Sequence, residues 1–200
     1  MKHLNSRPVG SEPADARRRQ LLKMIGLGGG ALLIGSVTLA RIAQAADADT
    51  VELVVFDEHG KRVGERRMPK VKKTAAEWKK QLSSASYNVT REDGTERPYS
   101  GDYDKPDEAG IYRCIACDTA LYDAATMFHS GTGWPSFWQP IAKQNVVETT
   151  DSTFGMQRTE ISCARCDSHL GHVFHDGPKP TGLRYCMNSV ALRFVPNATA

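Results

Sequence analysis

Apolar and polar residues alternate in short runs through the second half of the chain, with little helical periodicity. Such alternation is typical of β-strands that bury one face. Six runs are predicted to be strands: Ile111–Arg113, Asn145–Glu148, Phe154–Ser162, His172–Phe174, Leu183–Cys186 and Val190–Val195. Because no crossover helices separate them, the strands should pair in antiparallel sheets. The pattern predicts a mainly β domain with a few short helices.

A second β-rich region precedes this domain. The run Val51–Phe56 is a predicted strand, Asp57–Gly60 is a predicted turn, and Lys61–Gly64 is a candidate return strand. The basic, polar stretch 65–73 that follows suits either a linker or a segment packed on the edge of the domain.

One short helix is predicted between these two regions. Thr74 followed by Glu77 forms a capping-box pattern, which marks the start of a helix. Trp78 and Leu82 are four residues apart and would share its apolar face, so we expect a helix that runs to about Ser84. Glycine, proline and aspartate then predict a turn-rich loop over Thr90–Gly101.

The first 45 residues have the features of an export signal. Residues 17–23 combine paired arginines, two leucines and a lysine, as twin-arginine signals do. A glycine-rich, weakly apolar run follows over 24–40, and Ala43–Ala45 matches an A-x-A cleavage site. The run is shorter than the roughly 20 apolar residues that span a bilayer. Cleavage after Ala45 is therefore favoured over an uncleaved anchor.

Three segments follow from these patterns. We predict a twin-arginine signal peptide over 1–45, an N-terminal extension over 46–73 and the main domain over 74–200. The mature protein should be periplasmic, with membrane contact limited to its export.

Charge excludes one class of partner. The net charge is +3, but the first 45 residues hold seven Lys and Arg against two Asp and Glu. The remaining residues hold 19 basic and 21 acidic side chains. The predicted mature chain therefore lacks the basic surplus that nucleic-acid binding requires.

Four of the five cysteines form two matched pairs. Cys114 and Cys117, like Cys163 and Cys166, are spaced as Cys-x-x-Cys. Two such turns can supply the four thiolates of a closed, tetrahedral, structural zinc site. Disulfides or a redox-active pair are the alternatives, but a thioredoxin-type pair is expected near a βαβ pattern, which neither pair has. Structural Zn²⁺ is the favoured interpretation.

The fifth cysteine, Cys186, is a candidate nucleophile. Arg184 lies two residues away and would share its face on a strand, where a cation favours the thiolate. His169 and His172 could fold back beside it as a Cys–His pair. The alternatives are a buried, inert thiol and histidines that serve as turn residues or, together with His175, as metal ligands.

The aromatic segment 131–138 has two interpretations. Trp134, Phe137 and Trp138 could form the wall of an apolar pocket. On composition alone, three aromatic side chains in the core are the simpler interpretation.

Several separated motifs in fixed order resemble the methionine-R-sulfoxide reductases, the B type. The motifs are the two cysteine pairs and the segments 94–101, 131–138 and 169–189, within a resemblance that covers about 74–195. The resemblance implies a fold of two antiparallel sheets with zinc away from the active site. It also implies that Trp134 contacts the methyl group of the substrate.

The same resemblance implies a reaction. The Cys186 thiolate would attack the sulfoxide sulfur, and His169 or His172 would donate a proton to the oxygen. Cys186 would then carry a sulfenic acid. Arg184 and Asn188 would position the groups and favour the thiolate, so a lowered Cys186 pKa is expected.

One departure from the family pattern concerns recycling. Many members carry a resolving cysteine where this chain has Thr132, and no sixth cysteine exists. We therefore expect an external thiol, such as a thioredoxin-like protein, to reduce Cys186. The expected substrates are oxidised proteins, with free methionine sulfoxide as a further candidate. Two alternatives are a zinc-pinned binding module with an inert Cys186, and a metalloenzyme that uses His169, His172 and His175.

Overall fold

Short strands joined by tight turns make up most of the computed structural model, which describes residues 49–101, 109–151 and 158–198. The strands of these residues, in chain order, are Thr50–Phe56 (β1), Arg62–Pro69 (β2), Gly110–Cys114 (β3), Ala120–Asp123 (β4), Met127–Phe128 (β5), Ser136–Phe137 (β6), Val146–Asp151 (β7), Arg158–Cys163 (β8), His169–Phe174 (β9), Arg184–Met187 (β10) and Leu192–Pro196 (β11). The helices are Ala75–Gln81 (α1) and Ser84–Glu92 (α2).

Two antiparallel sheets enclose the core. The larger sheet has the strand order β5-β6-β10-β9-β8-β7, and the smaller has the order β11-β3-β4. Phe137 and Tyr122 come from different sheets and stack with their ring centroids 4.4 Å apart. Both are fully buried, as are Ile161, Leu170 and Met187. The prediction of a mainly β fold with antiparallel sheets is confirmed.

Side chains along β10 alternate between the hydrophobic core and the candidate site. Tyr185 and Met187 are buried in the hydrophobic core. Arg184 and Cys186 alternate with them and therefore point to the opposite face of the sheet. One strand thus contributes to the packing and to the candidate site.

Each predicted strand overlaps an observed one, although Asn145, Val190 and Ala191 lie in short 3-10 helices instead. Five of the predicted segments overlap β3, β7, β9, β10 and β11, and the described part of Phe154–Ser162 falls on β8. The short strands β4, β5 and β6 were not predicted, because two to four residues carry too little alternation to be recognised.

Helix α1 confirms the capping box. The Thr74 hydroxyl accepts from the Glu77 backbone N–H at 3.3 Å, and the Glu77 carboxylate accepts from the Thr74 N–H at 2.8 Å. Trp78 is buried, as its position on the apolar face predicted.

The prediction of a loop from Thr90 onward is wrong at its start, because α2 continues to Glu92. Ser83 begins this helix by accepting a hydrogen bond from the Ser86 N–H at 3.0 Å. Its interior holds Asn88, Val89 and Thr90, all weak helix formers. Val89 and Thr90 are buried, so tertiary packing outweighs local propensity here.

The N-terminal extension folds as a hairpin on the same compact unit. Strand β1 confirms the predicted Val51–Phe56 strand, and β2 continues through Pro69, well into the stretch whose role the sequence left undecided. The backbone of Val54 exchanges two hydrogen bonds with the Asn145 side chain, at 2.8 and 2.9 Å. This segment therefore packs on the domain and is not a linker.

The predicted leader, residues 1–45, lies outside the described residues. Within the ranges that the structure describes, no helix is long and apolar enough to cross a membrane.

Candidate active site

The two Cys-x-x-Cys pairs meet in space. The Sγ atoms of Cys114 and Cys166 are 3.6 Å apart, those of Cys117 and Cys163 are 3.5 Å apart, and all four sulfurs lie within 4.8 Å of one another. Four sulfurs about 2.3 Å from a tetrahedral Zn²⁺ would be about 3.8 Å apart. The four cysteines are free thiols in this structure, and the donor set and its spacing fit zinc better than disulfides, whose sulfurs are about 2.05 Å apart.

The two turns that present these sulfurs have the same conformation. We call residues 114–119 the first knuckle and 163–168 the second knuckle. In the first, Asp118 donates its N–H to the Cys114 carbonyl at 2.9 Å, and in the second Asp167 does the same to Cys163 at 2.9 Å. Both aspartates have positive φ, 64° and 55°, a conformation that Asp tolerates better than most residues.

Each knuckle also places a hydroxyl beside one sulfur. Thr119 Oγ1 is 3.2 Å from Cys117 Sγ, and Ser168 Oγ is 3.1 Å from Cys166 Sγ. Hydrogen bonds from Cys114 lower the pKa of Cys117 and of Cys166. The cluster therefore favours thiolates at these two positions, whereas the pKa values of Cys114 and Cys163 are raised. Zinc binding would displace the protons that remain.

A row of paired residues crosses the larger sheet on the face opposite the core. In this row Ser136 pairs with Cys186, Cys186 with His172, His172 with Glu160, and Glu160 with Thr149. Paired residues of neighbouring antiparallel strands project to the same side. The register of three strands, β10, β9 and β8, thus brings Cys186, His172 and Glu160 side by side.

The Cys186 thiol is half-buried beside a hydroxyl and a cation. Its Sγ atom lies 3.9 Å from Thr132 Oγ1. Burial raises the pKa of Cys186, while the Thr132 hydrogen bond and the Arg184 charge lower it by less. The expected net lowering of this pKa is therefore wrong for the free protein, because desolvation of the thiolate outweighs its partners.

Arg184 is held rigidly in place. Its Nε and Nη2 atoms donate to both carboxylate oxygens of Asp176, at 2.9 and 2.8 Å. The guanidinium lies over the Phe174 ring, 4.4 Å from the centroid. Such a two-bond pair fixes the cation, and its charge favours the Cys186 thiolate as the sequence predicted.

His172 is joined to a carboxylate. Its Nε2 atom is 3.0 Å from Asp151 Oδ2, which also accepts from Arg158 Nη2 at 2.7 Å. Burial lowers the pKa of His172, and the Asp151 hydrogen bond opposes this. The free protein therefore favours a neutral imidazole with a partner ready to stabilise its protonated form.

His169 lies behind His172. It is 3% exposed, its Nδ1 atom is 2.7 Å from Glu160 Oε1, and its ring centroid is 5.4 Å from that of His172. Residues three apart on a strand normally face opposite sides, but the pairing with β8 shifts by one residue at Leu170. This bulge turns both histidines to one face.

A pocket of about 460 Å³ opens beside Cys186. Its lining includes Trp134, His172, Cys186 and Asn188, and is completed by Thr95, Arg158, Gly171, Phe174 and Met187. Of the two candidate histidines, only His172 is among the lining residues. Trp134 is therefore positioned as a pocket wall, whereas Phe137 is fully buried in the core.

Gly171 allows the two central strands to approach closely. A Cβ atom at this position would lie 2.1 Å from the Cys186 carbonyl oxygen. Glycine is therefore required opposite the candidate nucleophile.

His175 does not complete a metal site. Among the described residues, two groups are close enough to share a metal ion: the four cysteines, and Asp93 with Glu160 and His169. His175 is exposed and belongs to neither group, so the predicted alternative of a three-histidine metal site is not assembled.

Comparison with known proteins now identifies the family. The SelR domain model matches residues 82–196. The chain is 57% identical over 131 residues, 66% of its length, to all of the peptide methionine sulfoxide reductase MsrB of Pseudomonas syringae pv. syringae, strain B728a. It is 53% identical over 127 residues, 64% of its length, to 91% of the protein of that name from Hahella chejuensis. This chain belongs to the SelR family.

The SelR domain contains every candidate site residue. The sequence analysis missed several polar residues that bond to candidate residues, among them Asp151, Glu160 and Asp176, and it missed Arg158, which bonds to Asp151. The alternation of Arg158 and Glu160 along one strand was the available signal. It is the same signal that any solvated strand face gives, so it could not single them out.

Proposed function

We propose that the protein reduces the R epimer of methionine sulfoxide to methionine, chiefly in oxidised proteins. The observation that carries this proposal is the half-buried Cys186 thiol beside a pocket that Trp134, Asn188 and His172 line. MsrB proteins that match the whole length of the catalytic region support it.

The first step moves a proton from sulfur to imidazole. Cys186 and His172 are cross-strand neighbours, and their shifted pKa values favour a neutral thiol beside a neutral imidazole. Transfer of the thiol proton to His172 produces the thiolate, which Arg184 stabilises, and an imidazolium, which Asp151 stabilises. The pair thus generates its own nucleophile and general acid without a proton from outside.

The second step transfers oxygen. The Cys186 thiolate attacks the sulfoxide sulfur while His172 donates its proton to the sulfoxide oxygen. Attack forms a bond between the two sulfurs. The protonated oxygen then moves from the methionine sulfur to the Cys186 sulfur as both the sulfur–oxygen bond of the substrate and the new sulfur–sulfur bond break, which leaves Cys186 as a sulfenic acid and releases methionine. The methionine sulfur gains two electrons and the Cys186 sulfur loses two. His169 and Glu160 lie behind His172 and orient it.

Residues of the pocket walls would discriminate between the two epimers of the sulfoxide. Trp134 offers an apolar face for the S-methyl group, while Asn188 and His172 offer polar atoms toward the sulfoxide oxygen. A chiral sulfur that must satisfy both walls and face Cys186 fits in one configuration. This arrangement supports selection of a single epimer, and the resemblance to the methionine-R-sulfoxide reductases is the reason for assigning R.

An external thiol completes the cycle. The nearest sulfur in the zinc cluster along this sheet, Cys163, lies two strands and three residues away from Cys186, at least about 10 Å by strand geometry. One external thiol displaces water from the sulfenic acid to form a mixed disulfide. A second thiol releases Cys186 and leaves as the disulfide of the donor, such as a thioredoxin-like protein.

Zinc and export complete the proposal. The four knuckle sulfurs would hold Zn²⁺ as a structural cross-link between β3, β8 and the turns that follow them. The twin-arginine pattern over residues 17–23 supports export to the periplasm with removal of residues 1–45.

The test is thiol-dependent reduction of each epimer by the mature chain, residues 46–200. We expect turnover of the R epimer alone and its loss in Cys186→Ser. Activity that survives this substitution would assign the chemistry to another residue. If neither epimer is reduced by a zinc-loaded, folded protein, the chain is instead a zinc-pinned binding module.

A further inference from the structure

Glu96 connects the two walls of the pocket without lining it. Its carbonyl oxygen accepts from the Trp134 indole Nε1–H at 3.1 Å. Its backbone N–H donates to Asn188 Oδ1 at 3.0 Å. The same peptide segment thus fixes an aromatic ring and an amide that are 54 residues apart in the chain.

The Glu96 side chain anchors this segment to the sheet. One carboxylate oxygen accepts from the Ser189 N–H at 2.6 Å, and the other accepts from the Ser189 hydroxyl at 2.7 Å and the Val190 N–H at 3.2 Å. Hydrogen bonds to an ionised carboxylate are about twice as strong as neutral ones. Because Ser189 directly follows Asn188, the carboxylate fixes the loop to the wall that Asn188 forms.

The other end of the loop is attached to the Trp134 wall. Tyr99 donates its N–H to the Gly133 carbonyl at 2.8 Å and its hydroxyl to the Gly131 carbonyl at 2.6 Å. The loop over residues 95–99 therefore bonds to both walls, and Glu96 is the residue that contacts both.

We propose that Glu96 is a positioning residue that sets the separation of Trp134 and Asn188. This inference rests on the proposed function, in which these two side chains contact the substituents on the sulfoxide sulfur. A fixed separation holds the methyl-binding and oxygen-binding surfaces at the spacing of the R epimer. Glu96 acts through these residues and does not touch Cys186.

The test compares Glu96→Gln with Glu92→Gln. The new amide would turn an N–H₂ group toward the Ser189 and Val190 donors, so the loop shifts. We expect kcat/KM for the R epimer to fall about 10- to 100-fold, as loss of charge-assisted hydrogen bonds allows, mainly through KM. Alkylation of Cys186 by iodoacetamide should keep its rate. The control residue Glu92 ends α2 on the exposed surface, so its substitution should change neither quantity.

Three results would overturn this inference. They are equal kinetics in the two variants, a fall in kcat with KM unchanged, and a change in the alkylation rate as large as the change in kcat/KM, which would show that the surroundings of Cys186 are themselves disturbed. If Glu96→Gln does not fold, Ser189→Ala removes one donor and should shift KM in the same direction by less.

A readout without turnover separates this inference from the proposed function. The indole N–H resonance of Trp134, assigned with Trp134→Phe, should shift and exchange faster with solvent in Glu96→Gln. This expectation holds even if the protein reduces neither epimer. An unchanged indole resonance would show that Glu96 does not position Trp134.

The hairpin β1–β2 is connected to the region of both knuckles through one buried residue. Asn145 is fully buried and bonds to the backbone of Val54 on β1. Its Nδ2 atom also donates to the Ala120 carbonyl at 2.8 Å, one residue after the first knuckle. Its backbone carbonyl accepts from Ala164 of the second knuckle at 3.1 Å.

The end of the hairpin contacts the second knuckle directly. The Val71 N–H donates to the Arg165 carbonyl at 2.8 Å, and Lys70 forms an ion pair with Asp167. Leu53, which is 3% exposed, lines a cavity with Thr119 of the first knuckle. We infer that the hairpin is a clamp that slows the loss of zinc, because the knuckles cannot separate until it undocks.

This inference does not depend on catalysis and is tested by the rate of zinc transfer to a chromophoric chelator. Leu53→Asp places a charge against the knuckles, whereas Val63→Asp changes a side chain that is 50% exposed on the same hairpin. We expect Leu53→Asp to release zinc about 10-fold faster than the original protein, or to be isolated without zinc, because it loses about one large apolar contact. Val63→Asp should release zinc at the original rate.

Equal release rates in the two variants would overturn the clamp, provided that limited proteolysis shows the hairpin of Leu53→Asp to be detached. If Leu53→Asp does not yield folded protein, Val71→Pro removes the N–H group that donates to the Arg165 carbonyl. It should accelerate zinc release by a smaller factor, and an unchanged rate would again overturn the clamp.

Discussion

The four-cysteine cluster and Cys186 lie on opposite faces of the larger sheet and have different surroundings. On the core side, Cys163 belongs to a cluster in which each sulfur is hydrogen-bonded to another sulfur or to a hydroxyl. On the other side, Cys186 faces a pocket with a hydroxyl, a cation and a histidine around it. Sulfurs with sulfur partners suit a metal ion, whereas a lone sulfur beside space for a ligand suits chemistry.

The four-cysteine cluster should contribute to the stability of the fold, whereas Cys186 should contribute to the reaction. The zinc cluster joins turns from both sheets, so its loss should affect the whole fold. The Cys186 thiol contributes little packing that serine could not replace, so its loss should affect only the reaction. A substitution in the cluster should therefore lower the stability of the fold. A substitution of Cys186 should abolish turnover and leave thermal unfolding almost unchanged.

The largest expected effect is that of Cys163→Ser, which removes one zinc ligand. Structural zinc binding contributes about 10–16 kcal/mol in zinc-finger peptides, and a domain is stable by only about 5–15 kcal/mol. We expect the variant to lose bound zinc and its cooperative thermal transition. Metal content by mass spectrometry and circular dichroism against temperature measure this.

Cys186→Ser is the matched control from the other face. It should keep one zinc per chain and unfold within about 2 °C of the original protein, since a single small change shifts Tm by little unless it removes packing. A zinc-free Cys163→Ser protein with an unchanged transition would refute the structural role of the cluster.

The zinc site was predictable because each knuckle is local. Two cysteines three residues apart, followed by a residue that tolerates positive φ, define a turn whatever the rest of the chain does. The spacing therefore revealed the partners of Cys114 and Cys163, and it indicated a donor set that suits zinc. What spacing could not predict was the contact of Asn145 with both knuckles, which depends on how distant segments pack.

The candidate active site was predictable in its named residues but not in their arrangement. Cys186, His172 and Trp134 were found from type and motif. Their partners Asp151 and Glu160 are set by strand register and by the bulge at Leu170, and a shift of one residue would face them the other way. The sequence does not encode that register in any short pattern.

The second-largest effect concerns the proton that His172 carries. His172→Asn keeps a polar side chain but removes the acid, so kcat should fall about 10²- to 10⁴-fold. Steady-state reduction of the R epimer measures it. Asp151→Asn should lower kcat by only about 10-fold, the effect of losing one charge-assisted hydrogen bond. A larger loss in Asp151→Asn than in His172→Asn would assign the acid role elsewhere.

An intermediate effect is a change in how the sulfenic acid is resolved. Thr132 Oγ1 is 3.9 Å from Cys186 Sγ, in a turn flanked by Gly131 and Gly133 with positive φ. Thr132→Cys should therefore give an intramolecular disulfide after one turnover without reductant. The original chain should instead gain one oxygen, and Thr132→Ser should behave like it. Intact-protein mass spectrometry distinguishes the products, and one added oxygen in Thr132→Cys would contradict this geometry.

The smallest expected effect concerns the pKa of Cys186. Burial raises that pKa, so the thiolate fraction is small at neutral pH and grows as pH increases through the pKa. The rate of alkylation by iodoacetamide should increase along the same range. Thr132→Val removes a hydrogen bond that lowers the pKa, so its alkylation at neutral pH should be about 2- to 5-fold slower, because one neutral hydrogen bond contributes about 1 kcal/mol or less. The two rates should converge in alkali, where both thiols are ionised. A rate that does not change from mildly acidic to alkaline pH would mean that Cys186 is already a thiolate, and that its partners outweigh burial.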